Sequence, residues 1–123
     1  MSLGLPSSPI LSKRRVSLDS AYEDCRKETA QWAKTFYLGT LLMPPIKRRA
    51  IWAIYVWCRR TDELMDSPEA QQCSNELLAQ RLDLWEERTR GIFAGRIENG
   101  LDAVMIDTLE RFPQSIKPYL DMI

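Results

Sequence analysis

The sequence contains no histidine. That absence removes Ser-His-Asp and Cys-His nucleophile pairs, any imidazole general base, and every histidine-bearing zinc site. Net charge is lacking too, because 17 Lys and Arg balance 17 Asp and Glu. No global field is left to draw the chain to nucleic acid or to an acidic surface. Cysteine is scarce: Cys25, Cys58 and Cys73 are odd in number and have no C-x-x-C spacing, so the expectation is reduced thiols rather than a disulfide framework or a zinc knuckle. No apolar run approaches the roughly 20 residues that span a bilayer. The richest candidate, Ile46 to Cys58, is interrupted by Lys47, Arg48 and Arg49. The chemistry left open belongs to carboxylates, guanidinium groups, tyrosines, or a metal held by oxygen.

What is present points to a packed helical domain. Its 123 residues allow one domain at most, and four tryptophans with 45% hydrophobic residues provide a core. The first nineteen residues differ in character, being serine-rich and basic at Lys13, Arg14 and Arg15, with no acid before Asp19. They read as a disordered leader with the composition of an organelle transit peptide, or as an ordinary flexible N-terminus. Residues 20–123 read as the domain. Ser20 and Glu23 make a capping-box signal, and Tyr22, Cys25, Thr29, Trp32 and Phe36 recur at helical spacing. Gly39 and Pro44-Pro45 end that segment, and Pro45 suits the first turn of a second helix reaching Asp66. Ser67 and Pro68 read as an N-cap and N1 of a third helix carrying Leu78, Leu82, Trp85, Thr89 and Phe93. Gly91, Gly95 and Asn99-Gly100 mark its end. A fourth helix is expected from Leu101 to Phe112, with Leu101, Val104, Met105, Thr108 and Phe112 inward, and a last one near Ser115. No period-2 alternation of useful length occurs, so the fold class is all-α.

The second helix carries the chemistry. On a wheel, Ala50, Ala53, Ile54, Trp57, Thr61, Leu64 and Met65 form the apolar face, while Arg49, Val56, Arg60 and Glu63 fall to solvent. Arg48, Trp52, Tyr55, Arg59, Asp62 and Asp66 step by 4, 3, 4, 3 and 4 along one line. Asp62 and Asp66 form an Asp-x-x-x-Asp pair whose like charges repel by roughly 0.2–0.5 kcal/mol. Such a pair is either a solvated face with weak ion pairs or a seat for a divalent cation, which prefers carboxylate oxygen and completes its shell with water and phosphate. Arg59, one turn below, supplies a fork of donors suited to phosphate oxygens. Trp52 and Tyr55 on the same line fit a pocket wall or plain core.

The stretch AKTFYLGTLLMPPIKRRAIWAIYVWCRRTDELMD, Ala33 to Asp66, resembles the N-terminal third of the phytoene synthases of plants, algae and cyanobacteria. These belong with squalene and dehydrosqualene synthases to the head-to-head trans-isoprenyl diphosphate synthases. The likeness continues through LDLWEERTRGIFAGR and DTLERFPQSIKPYLDMI, covering about Ser20 to Ile123. It implies the N-terminal part of the isoprenoid-synthase helical fold and a carotenoid-biosynthesis transferase that condenses two geranylgeranyl diphosphates to phytoene. By the same resemblance Asp62 and Asp66 hold Mg²⁺ or Mn²⁺, Arg59 binds diphosphate, Tyr55 lies near the reacting carbons, and Phe36 and Thr35 line the prenyl site.

The family's second aspartate-rich motif does not occur before Ile123, so the expectation is a fragment that is inactive alone. Two alternatives stand beside it. One is a helical interaction module pairing with a full-length synthase, and the other is a squalene- or dehydrosqualene-type enzyme using farnesyl diphosphate. The relatives imply a plastid, or else a cyanobacterial cytoplasm; the greasy substrate and product that the resemblance implies fit peripheral membrane association, and the balanced charge leaves the expectation of no nucleic-acid partner.

Overall fold

Prolines and short polar side chains set most of the helix starts. The structure, a computed structural model, describes the backbone of residues 9–123 and the side chains from Ser17 onward. Among the described residues there are seven helices: α1 (Pro9–Trp32), α2 (Lys34–Thr40), α3 (Pro45–Asp66), α4 (Pro68–Gln71), α5 (Asn75–Phe93), α6 (Gly100–Arg111) and α7 (Lys117–Met122). Pro45 and Pro68 occupy first turns, where a missing N–H costs nothing. The Ser67 hydroxyl accepts from the Ala70 N–H, Ser74 from Leu77, and Asn99 from Leu101 and Asp102, so three helices begin on a side-chain cap. At the end of α5, Gly95 has φ +87°, the Arg96 N–H reaches the Gly91 carbonyl, and the Gly95 N–H reaches Ile92. This is a Schellman closure, which requires the left-handed conformation that glycine adopts without strain.

Four expectations need correction. Residues 1–8 of the expected leader lie outside the described residues, but 9–19 are helical, so Ser20 is inside α1 and caps nothing. Proline at position 9 is pre-set for a first turn, and the serines after it cost a helix only tenths of a kcal/mol each. The Tyr22-to-Phe36 stripe breaks at Ala33 (φ −142°, ψ 64°), leaving Trp32 and Phe36 about half exposed. The single third helix is two, because Ser74 caps a fresh start after α4. Finally, Val56 is buried rather than solvated; Trp52, for which pocket wall and core were both open, belongs to the core.

The last correction follows from where α3 sits. It packs against α1, α5 and α6, so more than one of its faces is covered. Trp57, fully buried, meets Trp85 of α5 at 5.9 Å between ring centroids and Tyr119 of α7 edge-on at 5.0 Å. Each buried indole N–H finds a threonine hydroxyl: Trp52 donates to Thr40 at 2.9 Å, Trp57 to Thr89 at 3.2 Å, and Trp85 to Thr61 at 2.8 Å. Burying such rings stabilises by a few kcal/mol each provided the polar N–H is satisfied, and here the partner lies on another helix every time.

Two further links tie α6 in. The Tyr22 hydroxyl donates to Asp107 at 2.6 Å. Asp102, fully buried, accepts from Arg88 Nε and Nη2 and from the Glu98 N–H. None of the described helices is long and apolar enough to cross a membrane.

Candidate functional site

The C-terminal half of α3 leaves the core at one edge and presents Tyr55, Arg59, Asp62 and Asp66 to an open cleft of about 500 Å³, completed by the turn from Ser67 to Glu69. Their spacing of 4, 3 and 4 keeps them on one line of the helix while Val56, Trp57 and Thr61 anchor its other sides in the core. Phe36 of α2 reaches the same neighbourhood, its ring centroid 5.8 Å from that of Tyr55. Thr35 is exposed at the start of α2 and does not line the cleft. Arg48, the first member of the line, turns away and donates from Nε to the Met43 carbonyl.

Asp62 and Asp66 are exposed, and among the described residues neither has an ion-pair partner. The neighbouring bases are taken by other acids. Arg60 makes a two-pronged bridge to Glu28 of α1, at 2.6 and 2.8 Å. Arg59 Nε lies 3.1 Å from Glu63 and 3.3 Å from Glu28, and its guanidinium carbon sits 3.9 Å above the Trp32 ring. Two like charges one turn apart, at the end of a helix whose dipole already disfavours them, thus remain uncompensated.

Among the described residues no three acidic or thiol side chains converge on one point, so the chain holds no closed metal cage there. The donor chemistry of the pair still fits magnesium, which dehydrates reluctantly and is commonly held by one or two carboxylates with phosphate and water filling the remaining positions. Such a pair, open on the cleft side, would take a cation only together with an anionic ligand. Cys58 also lines the cleft, and burial, and then the nearby Asp62 charge, raise its thiol pKa, which disfavours the thiolate.

The residues that reasoning from sequence did not single out are Glu28, Trp32 and Glu63, which together surround Arg59. Glu63 was findable, since it stands four residues after Arg59 on one helix. Glu28 was not, because nothing in local spacing joins it to arginines 31 and 32 positions later.

A sequence profile of the squalene/phytoene synthase family matches residues 29–123. Among curated proteins the chain is 57% identical to the 15-cis-phytoene synthase of Synechocystis sp. over 121 residues, which is 98% of this chain and 35% of that protein. It is 55% identical to the 15-cis-phytoene synthase of Synechococcus elongatus over 119 residues, 97% of this chain and 37% of the relative. Phytoene synthase 2, chloroplastic, of Solanum lycopersicum is 55% identical over 106 residues, 86% of this chain and 33% of the relative. The chain thus spans about a third of the length of the curated relatives it matches. The profile begins inside α1 and runs through all of α3 with its paired aspartates, and on that match the chain belongs to the squalene/phytoene synthase family.

Proposed function

We propose that this chain supplies the first acidic half-site of an enzyme joining two geranylgeranyl diphosphates into 15-cis-phytoene, a prenyltransferase of carotenoid biosynthesis. The observation that carries the reading is the pair Asp62 and Asp66, exposed and without ion pairs among the described residues, on one helical line with Arg59 and Tyr55. A structural acid pair would be expected to recruit the bases around it, whereas here those bases are held by Glu28 and Glu63.

Asp62 and Asp66 would hold Mg²⁺ or Mn²⁺, which neutralises the oxygens of a departing diphosphate and so lowers the barrier to allylic ionisation. Arg59 binds the same diphosphate through its guanidinium fork, a geometry that lysine does not reproduce. Tyr55 and Phe36 form an aromatic wall one turn further along. Their ring faces stabilise a developing allylic cation electrostatically and offer it no strong nucleophile. Thr35, exposed and outside the cleft, is given no role in this reading. The relatives point to a plastid, or to the cytoplasm of a cyanobacterium, as the setting. A greasy substrate and product fit peripheral contact with a membrane.

The test is a graft. Residues 29–123 replace the matching segment of the Synechocystis enzyme, and phytoene is measured in cells that supply geranylgeranyl diphosphate. The expected result is phytoene from the graft and none after Asp62→Asn. A soluble, folded graft that makes no phytoene, or one indifferent to Asp62→Asn, overturns the reading.

A further inference from the structure

Arg59 Nε is, among the described residues, the buried side-chain polar atom with no hydrogen bond. Carboxylate oxygens of Glu63 and Glu28 lie 3.1 and 3.3 Å away, yet neither is aligned to accept. An unmade bond of this kind on a buried group costs free energy and calls for a reason. The surroundings supply one. Trp32 lies under the guanidinium plane at 3.9 Å, and Glu28, one turn before Trp32 on α1, closes the side next to Nε. Glu28 is itself fixed, because both of its oxygens are gripped by Arg60. The ring, the two carboxylates and Arg60 therefore restrain Arg59 from its inner side, while its two Nη amines have no hydrogen-bond partner among the described residues and the side chain lines the cleft.

We propose that Glu28 is a positioning residue: from α1, together with Trp32 and Glu63, it orients Arg59 so that both Nη amines face a diphosphate bound at Asp62 and Asp66. The inference rests on the diphosphate-binding reading above. Its physical content is pre-organisation, since a flexible arginine held in its binding geometry loses less rotamer entropy when the ligand arrives.

Coulomb attraction alone makes the opposite prediction. Glu28→Gln removes a negative charge beside an anion site and should tighten binding. Positioning requires that binding weaken. The experiment titrates inorganic pyrophosphate with Mg²⁺ into the 123-residue chain by calorimetry, for the parent, Glu28→Gln, Trp32→Leu, Arg59→Met, Asp62→Asn and the Glu28→Gln/Arg59→Met double variant. A thermal melt accompanies each.

The expected result is a dissociation constant about tenfold higher in Glu28→Gln, the scale of one well-made charge-assisted hydrogen bond. Trp32→Leu should weaken binding in the same direction, and Glu28→Gln should have no effect once Arg59 is methionine. Equal or tighter binding by Glu28→Gln, or an equal loss in the Arg59→Met background, overturns the proposal and leaves the reading of the cleft intact. A parent chain that binds no pyrophosphate, or binding indifferent to Asp62→Asn, overturns that reading and the proposal with it. If Glu28→Gln does not fold, Trp32→Leu decides, because that side chain is 55% exposed, and an unchanged dissociation constant then counts against the proposal.

Discussion

Asp66→Asn should stabilise the free chain and at the same time remove its response to magnesium and pyrophosphate. Asp66 is the last residue of α3 and Asp62 stands one turn before it, with no base paired to either among the described residues. Their mutual repulsion costs roughly 0.2–0.5 kcal/mol. A negative charge in the last turn opposes the helix dipole by a further 0.3–1 kcal/mol or so. Neutralising Asp66 therefore returns about 0.5–1.5 kcal/mol, and for a chain of this size about 1 kcal/mol raises the melting temperature by roughly 3–5 °C. With Mg²⁺ and pyrophosphate at a hundred times the dissociation constant, the parent gains about 2.7 kcal/mol from binding and the variant gains none. The order of the two melting curves should consequently invert when ligand is added. Circular-dichroism melts at low ionic strength, with and without Mg²⁺ and pyrophosphate, measure both effects, and added salt should shrink the unliganded difference. A variant that melts below the parent without ligand, or that keeps the full ligand-dependent rise, refutes the reasoning.

Three other outcomes follow from the core. Thr61→Val keeps the shape of a side chain that accepts the Trp85 indole N–H and donates to the Trp57 carbonyl, so the loss of about 1–3 kcal/mol in urea unfolding isolates the unsatisfied indole; a change under a few tenths would show that the bond is immaterial. Asp102→Asn removes the buried carboxylate that accepts from Arg88, while Arg88 stays partly exposed and 3.4 Å from Glu98, so the loss in the same assay should be about 1.5–3 kcal/mol, and one below about 0.5 kcal/mol would contradict the assigned network. Burial, and then the charges of Glu28 and Asp24, push the Cys25 thiol from 9.0 up to about 12. The unfolded chain then releases that proton first, so its contribution to stability is complete below pH 9 and is lost as pH rises toward 12, at up to about 1.4 kcal/mol per unit. Tyr22, also raised by burial and by its bond to Asp107, adds to the fall above pH 10. Unfolding free energy measured across that window should decline less steeply in Cys25→Ala, and an unchanged slope would count against this account.

Elements with chemical punctuation were legible from the residues alone. Pro45, Ser67-Pro68 and Asn99-Gly100 lie at helix boundaries because missing donors and short polar caps act locally. The line Tyr55, Arg59, Asp62, Asp66 was equally readable, since helical spacing by itself places the four on one strip. Failures occurred where distant segments decide. A wheel presumes one covered face, but α3 is flanked by α1, α5 and α6, so Val56 was sent to solvent and Trp52 was left between pocket wall and core. Asp102 escaped notice because a fully buried carboxylate exists only by virtue of Arg88, fourteen positions earlier on another helix. The bend at Ala33 separates Phe36 from the core residues of α1, and periodicity carries no sign of it. Glu28 belongs with these, a residue whose role is set by the crossing of α1 and α3.

Three of the four tryptophans are at most 8% exposed and tied to threonines, which leaves Trp32, at 55%, as the indole widely open to water. It is also the one stacked on Arg59. The chain thereby carries its own optical probe. Emission at the red edge of its fluorescence, and the fraction open to a soluble quencher such as acrylamide, both belong to Trp32. Any anion that draws the guanidinium off the ring, or presses it closer, should change that fraction while the blue-shifted emission of the core stays constant. Occupancy of the cleft can then be followed in real time, with no label attached and no substitution made.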